Sequence, residues 1–197
     1  MKEYESSLVQ AAERLIRGRR SQRAYLPRPV PEGTLARIFD LANQAPSASN
    51  TQPRRVEVVS GASRDRLSRA LVEAAEGGRE SIDLSIDQEL YRDEYLDRMQ
   101  QFGAGLYGTF GIAREDSEGR RRVYLDNLRF YGAPHATFLF VPDFLVARQS
   151  NDLGIYGQTL MLAMHGYGVS SCAQAILSMY ADTVREVLNV PPSYRLV

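Results

Sequence analysis

The residues best suited to chemistry form a compact cluster of arginines near the start of the sequence. Arg19, Arg20 and Arg23 lie within five residues of one another, with Ser21 between them. Guanidinium groups bind phosphate through charge-assisted, forked hydrogen bonds. A solvated basic turn would have the same composition, so the cluster by itself indicates no more than a candidate phosphate site.

Two further segments have the composition of ligand-binding loops. Residues 46–50 read PSASN and are followed by Gln52 and Pro53, while residues 168–175 read GVSSCAQA. Small residues allow a backbone to approach a flat ligand closely, and serine, asparagine and glutamine supply polar contacts. Either segment alone would also suit an ordinary surface loop.

The other chemical signatures are weak or missing. Gly103, Gly105 and Gly108 match G-x-G-x-x-G, but a dinucleotide fingerprint needs a strand before it and a helix after it. The preceding residues have a charged helical pattern, so we expect a flexible, glycine-rich turn instead. The sequence contains no G-x-S-x-G, Walker A, H-E-x-x-H or C-x-x-C motif. His165 suits a core position better than a ligand position, and no metal site is predicted.

Length and charge exclude several classes of protein. A sequence of 197 residues is enough for one domain with a sizeable core. The formal net charge is zero, which gives no reason to expect a nucleic-acid partner. Cys172 is the single cysteine, so no disulfide within the chain is possible. The lack of a disulfide framework fits a reducing, cytoplasmic compartment. The absence of a long apolar run and of a secretory pattern argues against a membrane span and a secretory signal.

Periodicity and turn residues predict the elements that position these segments. Gly18 should end the first helix and Pro31 should begin the second, while Ser63, Asp152 and Asp182 should cap three later helices. Helices outnumber strands, which favours an α+β layer fold. The predicted helices cover residues 4–17, the stretch after Pro31, 63–76, 83–102, 117–130 and the stretches after Asp152 and Asp182; the predicted strands cover 56–60, 136–141 and the final residues.

Taken together and in order, the segments resemble the nitroreductase family. RRSQRAY, PVPEGTLARIFDLANQAPSASNTQP and VEVVSG resemble its N-terminal signature. DNLRFYGAPHATFLFV, GQTLMLAMHGYGVSSCAQAIL and ADTVREVLNVPPSYRLV resemble its later segments, so the resemblance covers nearly the whole chain. The excursion LYRDEYLDRMQQFGAGLYGTFGIARED is similar to that of a subgroup that reduces nitroaromatic compounds.

The resemblance implies a fold and an activity. Residues 1–197 would form one α+β domain, a central and mostly antiparallel sheet flanked by helices, with a helical excursion at about 83–130. Two such chains would form a homodimer with FMN at the interface. NADH or NADPH would reduce FMN in a ping-pong reaction, and a small acceptor such as a nitroaromatic or a quinone would then take the hydride, without a catalytic side chain. Two alternatives stay open: an FMN-dependent dehydrogenase or oxidase of a biosynthetic intermediate, and a flavin-binding protein without turnover.

The resemblance also implies the residues that bind FMN. Arg19, Arg20 and Ser21 match positions that hold the phosphate and ribityl chain, and Arg23 matches a basic residue near the N1–C2 carbonyl edge of the flavin. The loop at 46–50 would approach the flavin of the partner subunit. The positions of this loop are Pro46, Ser47, Ser49 and Asn50. Asn127 matches an asparagine at the pyrimidine end of the flavin. Ala173, Gln174 and Ala175 match a stretch whose backbone donates toward N5 and O4.

The sequence departs from the family pattern at two places. Members of the family usually have an aromatic residue after the QP pair, where this sequence has Arg54. We expect Arg54 to pair with a carboxylate and fill structural space; the alternative is that it favours anionic acceptors or the extra phosphate of NADPH. Family members also usually continue beyond the position of Val197, with a tail that carries a further basic residue to the phosphate.

Overall fold

The computed structural model describes residues 2–83 and 91–197, and within these ranges it contains seven α-helices and three strands. Short 3-10 turns occur at Ala48–Asn50, Phe130–Gly132, Asp143–Leu145 and Ala175–Met179. The helices are α1 (Lys2–Gly18), α2 (Glu32–Ala42), α3 (Gly61–Glu76), α4 (Asp93–Thr109), α5 (Ser117–Leu128), α6 (Val146–Gly166) and α7 (Ala181–Leu188), and the strands are β1 (Arg55–Ser60), β2 (His135–Pro142) and β3 (Tyr194–Leu196).

The sheet has the order β1-β2-β3, and both pairings are antiparallel. Phe140 is opposite Arg55 on one side and Leu196 on the other, so β2 is the central strand. Two of its side chains, Phe138 and Phe140, are buried. The predicted α+β fold and the predicted strand at the end of the sequence are therefore confirmed.

The core has two parts, one on each side of the sheet region. The larger part joins α3 and α7 to β2 through residues such as Leu67, Leu71, Phe140 and Val184. The smaller part packs α2 against α6 and contains Ile38, Ala42, Tyr156 and Leu160. Because α6 contacts α2, β2 and α1, it positions both the sheet and the N-terminal helix.

Three predicted helix caps are wrong. The helix assigned to Ser63 begins at Gly61, because the chain turns sharply after β1 and Gly61 adopts a φ of 52°. Asp182 lies within the first turn of α7, where its carboxylate pairs with Arg185. Asp152 lies in the interior of α6, which begins at Val146.

The glycine motif is helical, contrary to the expected turn. Helix α4 extends through Gly103, Gly105 and Gly108 to Thr109, and a Cβ at any of these glycines would meet no atom within 4 Å. The helix predicted at 83–102 begins only at Asp93, because Arg92 is extended, with φ −133° and ψ 161°; residues 84–90 lie outside the described residues. With a helix around it instead of a strand before it, the motif is not a dinucleotide fingerprint.

A buried ion pair holds the C-terminal strand in place. Asp83 and Arg185, whose side chains are 6% and 9% exposed, form a salt bridge. The same carboxylate accepts a hydrogen bond of 2.8 Å from the backbone N–H of Leu196 in β3. We refer to Asp83, Arg185 and Leu196 as the C-terminal clip. Within the described ranges, none of the helices combines the length and hydrophobicity needed to cross a bilayer.

Candidate functional site

The arginine cluster lies beside the segment at 168–175, as a parallel backbone bridge joins Ser21 to Ser171. The backbone N–H of Gln22 donates to the carbonyl oxygen of Ser171 over 3.1 Å. The two segments are about 150 residues apart in the sequence and carry seven of the residues predicted to bind FMN. The fold therefore brings the cationic segment and the small-residue segment together.

The cationic side chains at this junction are not neutralised by carboxylates. Arg20 donates to the carbonyl oxygens of Arg17 and Arg19, which satisfies acceptors at the C-terminal end of α1. No salt bridge within residues 2–83 and 91–197 involves Arg19, Arg20 or Arg23. Their charge is thus available to an anionic ligand.

Gln174 and Asn127 are also brought together. The side-chain amide of Gln174 donates to Oδ1 of Asn127 over 3.1 Å, and Nδ2 of Asn127 donates to the carbonyl oxygen of Val123 over 2.8 Å. The backbone N–H groups of residues 173–175 have no hydrogen-bond acceptor within the described part of the chain. The junction therefore presents a row of free amide donors next to a fixed asparagine.

The turn after Asn127 has an unusual backbone. Phe130, Tyr131 and Gly132 have φ values of 57°, 50° and 78°, the left-handed region that residues other than glycine rarely adopt. Strained backbone of this kind is concentrated at binding sites and active sites. Burial raises the pKa of Tyr131, while the charge of Arg23 and a hydrogen bond with Asn127 oppose the increase. Tyr131 is therefore a neutral phenol at the edge of the site.

Tyr25 is a second tyrosine of the site that the sequence analysis did not single out. Its hydroxyl donates to the carbonyl oxygen of Gln22 over 2.7 Å. Burial raises the pKa of Tyr25 to about 12, Cys172 acts in the same direction, and Arg23 opposes both. Tyr25 ends the RRSQRAY motif, so its position in that motif was the one available signal. The charge of Arg23 therefore acts on two partly buried tyrosines.

The loop at 46–52 is held by internal hydrogen bonds. The hydroxyl of Ser47 accepts a hydrogen bond of 2.9 Å from the backbone N–H of Gln52. Ser49, Asn50 and Gln52 all have positive φ, which marks a second strained turn. No hydrogen bond among the described residues joins residues 46–50 to the junction of Ser21 with Ser171. The expected role of Pro46, Ser47, Ser49 and Asn50 toward a partner subunit stays a prediction.

Two cavities adjoin the junction. The first, the central cavity, has a volume of about 770 Å³ and is bordered by residues 24–31, β2, α6 and residues 167–174. The second, the arginine pocket, has a volume of about 750 Å³ and is lined by Arg23 and by residues of α3, α5 and the turn at 131–132. Ala24 and Tyr25 border both cavities. Volumes of this size accommodate cofactor-sized ligands.

The predicted residues are distributed unequally over these cavities. Ala173 and Gln174 line the central cavity, and Arg23 lines the arginine pocket. The other predicted residues line neither cavity; they are Arg19, Arg20, Ser21, Pro46, Ser47, Ser49, Asn50, Asn127 and Ala175. Among the described residues, no group of histidine, cysteine and carboxylate side chains has the arrangement of a metal site.

Within residues 2–83 and 91–197 no carboxylate pairs with Arg54, so that expectation is wrong for the described residues. Its guanidinium carbon lies 4.5 Å from the centre of the Tyr156 ring. One nitrogen donates to Oδ1 of Asn43 over 3.0 Å, and another donates to Oε1 of Gln52. Amide oxygens and a ring face satisfy a planar guanidinium without an ion pair, because its donors suit neutral acceptors and its face suits stacking. Arg54 thus fills structural space against Tyr156, Asn43 and Gln52.

Comparison with known proteins identifies the family. The sequence profile of the nitroreductase family matches residues 16–197. Nitroreductase NfnB of Mycolicibacterium smegmatis is 52% identical over 183 residues, which are 93% of this chain and 78% of that protein. The chloronitrobenzene nitroreductase of Comamonas testosteroni is 34% identical and shares 93% of this chain and 82% of its own length. The chain belongs to the nitroreductase family.

Solved structures have the same fold. The crystal structure of the FMN-dependent nitroreductase NfnB from Mycobacterium smegmatis in complex with NADPH superposes with a TM-score of 0.94 at 51% identity, covering 96% of this chain and 85% of that chain. The FMN- and NADPH-dependent nitroreductase NfnB from Sphigopyxis sp. strain HMH superposes with a TM-score of 0.90 at 34% identity, covering 94% and 84% of the two chains. The expected nitroreductase fold is confirmed.

Proposed function

We propose that this member of the nitroreductase family is an FMN-dependent oxidoreductase that uses NADPH or NADH to reduce a small acceptor such as a nitroaromatic compound. The observation that carries the proposal is the junction of Ser21 with Ser171, which puts unpaired arginines next to free backbone amides. The relatives described above are nitroreductases, and two of the solved ones are described as FMN-dependent.

The residues at the junction have the donors that FMN requires. Arg19 and Arg20 carry unpaired positive charge for the phosphate, and Ser21 adds a hydroxyl. The free N–H groups of residues 173–175 suit the N5 and O4 acceptors of a flavin. The chain therefore fits FMN at this place, and Asn127 would contact the pyrimidine end.

Each side chain then has a physical task. Arg23 supplies a cation near the N1–C2 edge, where negative charge develops on reduction, and Tyr25 and Tyr131 stay neutral because burial raises their pKa values. When bound, FMN would supply the hydride transfer itself. Hydrogen bonds with Gln174 and with the carbonyl oxygen of Val123 hold the side chain of Asn127, which favours a preorganised site.

The proposal includes a cytoplasmic homodimer with one continuous domain over residues 1–197. Helix α1 leaves Leu8, Val9 and Ile16 at 60%, 58% and 64% exposure, which is a costly apolar surface for an isolated chain. A second copy of the chain would cover this surface. The loop at 46–50 would then reach the flavin of the partner subunit, in keeping with its separation from the junction in this chain.

The test is spectroscopic. The purified protein should show flavin absorption bands and release FMN on denaturation, and anaerobic NADPH should bleach those bands. Addition of a nitroaromatic compound should then reoxidise the flavin and restore the bands. Release of FAD or of no flavin would refute the cofactor, and flavin that NADPH and NADH leave oxidised would favour a binding protein without turnover. Peroxide formation from another substrate without a nicotinamide would instead indicate an oxidase.

A further inference from the structure

The loop at 46–52 carries two side-chain amides, Gln52 and Asn50, that are hydrogen-bonded to each other. Nε2 of Gln52 donates to Oδ1 of Asn50 over 2.9 Å and to the carbonyl oxygen of Ala45 over 3.3 Å. Oε1 of Gln52 accepts a hydrogen bond from Arg54. We refer to Gln52 and Asn50 as the amide pair. Because both donors and the oxygen of the Gln52 amide are occupied within the chain, Gln52 has little capacity left for a ligand.

Arg54 and Ala45 fix the direction in which the Gln52 amide points. A guanidinium has five donors and no acceptor, so the atom of the amide that faces Arg54 must be Oε1. A backbone carbonyl oxygen only accepts, so the atom that faces Ala45 must be Nε2. The two neighbours require the same orientation. A Gln52 amide turned the other way would place donor against donor and acceptor against acceptor.

The orientation of Gln52 in turn determines that of Asn50. Because Nε2 of Gln52 is a donor, it faces Oδ1 of Asn50 and not Nδ2. Asn50 is exposed and has a φ of 54°. Within residues 2–83 and 91–197, Nδ2 of Asn50 donates to no acceptor. The loop therefore keeps the oxygen of Asn50 for itself and leaves the NH2 group of Asn50 free to donate.

Arg54 is itself held by groups outside the loop. Its guanidinium carbon lies 4.5 Å from the centre of the Tyr156 ring, and Tyr156 is a residue of α6 that is 2% exposed. A second nitrogen of Arg54 donates to Oδ1 of Asn43, the residue that follows α2. An aromatic residue at this place could stack on Tyr156, but it has no forked donors for two amide oxygens. Arg54 thus links the amide pair to the packing of α2 against α6.

We propose that Arg54 is a positioning residue for the cofactor site: through Gln52 it fixes the amide of Asn50, so that the loop offers an N–H donor, and no amide oxygen, to the FMN held by the partner subunit. This inference rests on the proposed function, in which the loop at 46–50 reaches that flavin. The carbonyl oxygens of a flavin are acceptors, which a donor suits. A donor that is already oriented loses less conformational freedom on binding than an amide that can rotate.

The first experiment measures the orientation of Gln52 without reference to a ligand. Heteronuclear NMR of the purified protein gives the rate at which the side-chain NH2 group of Gln52 exchanges with water. Arg54→Met keeps the length of the side chain but has no donor, so it should accelerate this exchange. Arg54→Lys keeps a cationic donor and should retain most of the protection. Arg55→Met is the matched control, because the neighbouring Arg55 pairs with Glu57 and should leave the exchange rate unchanged.

The second experiment measures the dissociation constant of FMN, from the fluorescence of flavin released when the holoenzyme is diluted. Arg54→Met and Gln52→Glu should each raise this constant about fivefold, the effect of about one ordinary hydrogen bond. Gln52→Glu separates positioning from stability, since glutamate keeps an oxygen for Arg54 but lacks the donor that faces Asn50. Its midpoint of urea unfolding should stay close to that of the wild type, while Arg55→Met should leave FMN binding unchanged.

A double-mutant cycle tests whether Arg54 acts through Asn50, which it does not contact. In the background of Asn50→Ala, Arg54→Met should raise the dissociation constant of FMN no further. Additive effects of the two substitutions, or an unchanged dissociation constant in Arg54→Met, would overturn the proposal, as would equal exchange of the Gln52 amide in Arg54→Met and wild type. A wild-type protein that binds no FMN would instead refute the proposed function, and the exchange rate would still decide whether Arg54 fixes the amide pair.

Discussion

The carboxylate of Asp152, in the interior of α6, accepts a hydrogen bond from the backbone N–H of Ala48, and the two carboxylate oxygens lie 3.2 and 3.3 Å from that nitrogen. Asp152 is 7% exposed. A buried carboxylate is costly unless donors compensate for lost hydration. The contact therefore ties the loop at 46–52 to α6 and explains how three residues of that loop can hold positive φ angles.

This contact predicts a cost for removing the acceptor. Asp152→Ala should destabilise the protein by about 1–3 kcal/mol, because the N–H of Ala48 would be left without a partner. Asp152→Asn keeps one oxygen acceptor and should lose less. The measurement is the free energy of unfolding in urea at neutral pH, with Asp40→Ala on the exposed face of α2 as control. Equal stability of Asp152→Ala and Asp40→Ala would show that the contact does not hold the loop.

Asp152 also shows which part of the structure the sequence could predict. Local patterns identified the strand at 56–60 and the helix that ends at Gly18, because alternation and turn residues act over a few positions. They assigned Asp152 to a helix cap, because a carboxylate before an apolar run usually has that role. Its actual partner is 104 residues away, and no local pattern encodes such a contact.

The same limit applies to the candidate site. The motifs around Arg19 and Gln174 were identifiable, but the bridge from Ser21 to Ser171 depends on how α1 packs against α6. The turn predicted at the glycines of α4 was wrong for a different reason. Glycine has a low helix propensity, yet the preceding charged helical pattern continues through Gly103 and Gly108.

A second prediction concerns Arg23 and the reduction potential of bound flavin. Under the proposed function, Arg23→Ala should lower the potential, because it would remove a cation from the flavin edge where negative charge develops on reduction. A change of about 30 mV in this two-electron couple corresponds to roughly 1.4 kcal/mol. Potentiometric titration of the FMN-loaded variant measures it. Arg23→Lys retains the charge and should restore most of the potential; a normal potential in Arg23→Ala with full FMN occupancy would place Arg23 away from the flavin.

A third prediction concerns the apolar face of α1. The double variant Leu8→Glu/Ile16→Glu should be monomeric in sedimentation velocity at micromolar concentration, where the wild type should be a dimer. Burial of such side chains is worth about 1.5–3 kcal/mol each, and a buried unpaired carboxylate costs more. Arg14→Glu, an exposed change on the same helix, is the control. A monomeric wild type with flavin bound would rule out the proposed dimer.

A fourth prediction follows from His135. The backbone N–H of Val30 donates to Nε2 over 2.9 Å, so this nitrogen must be unprotonated, and Nδ1 pairs with the hydroxyl of Ser60. Burial lowers the pKa of His135 from 6.5. The unfolded chain therefore binds the proton at a higher pH than the folded chain does, and stability should decrease as pH falls below about 6.5, levelling off below the folded pKa.

The measurement is urea unfolding as a function of pH between neutrality and mild acid. His135→Gln retains a hydrogen-bonding side chain but cannot titrate, so the component of the pH dependence that begins near 6.5 should be lost. His165→Gln serves as the control and should keep it. An identical pH profile for wild type and His135→Gln would mean that His135 does not contribute.

The last prediction concerns the C-terminal clip. Asp83→Asn removes the more buried of the two carboxylates that pair with Arg185. Because Asp182 remains as a partner, the substitution should cost more than about 1 kcal/mol but less than the roughly 3–5 kcal/mol for a buried charge left uncompensated. Leu196 would keep an acceptor only if the new amide turned its oxygen toward it, so β3 should lose protection from hydrogen exchange before the other strands do. Asp143→Asn is the matched control: it removes a partner of Arg195 at 4.0 Å, where both side chains are about 40% exposed, and it should cost less than about 1 kcal/mol. Urea unfolding compares the two variants. Equal losses in the free energy of unfolding would show that the burial of Asp83 does not increase its contribution to stability.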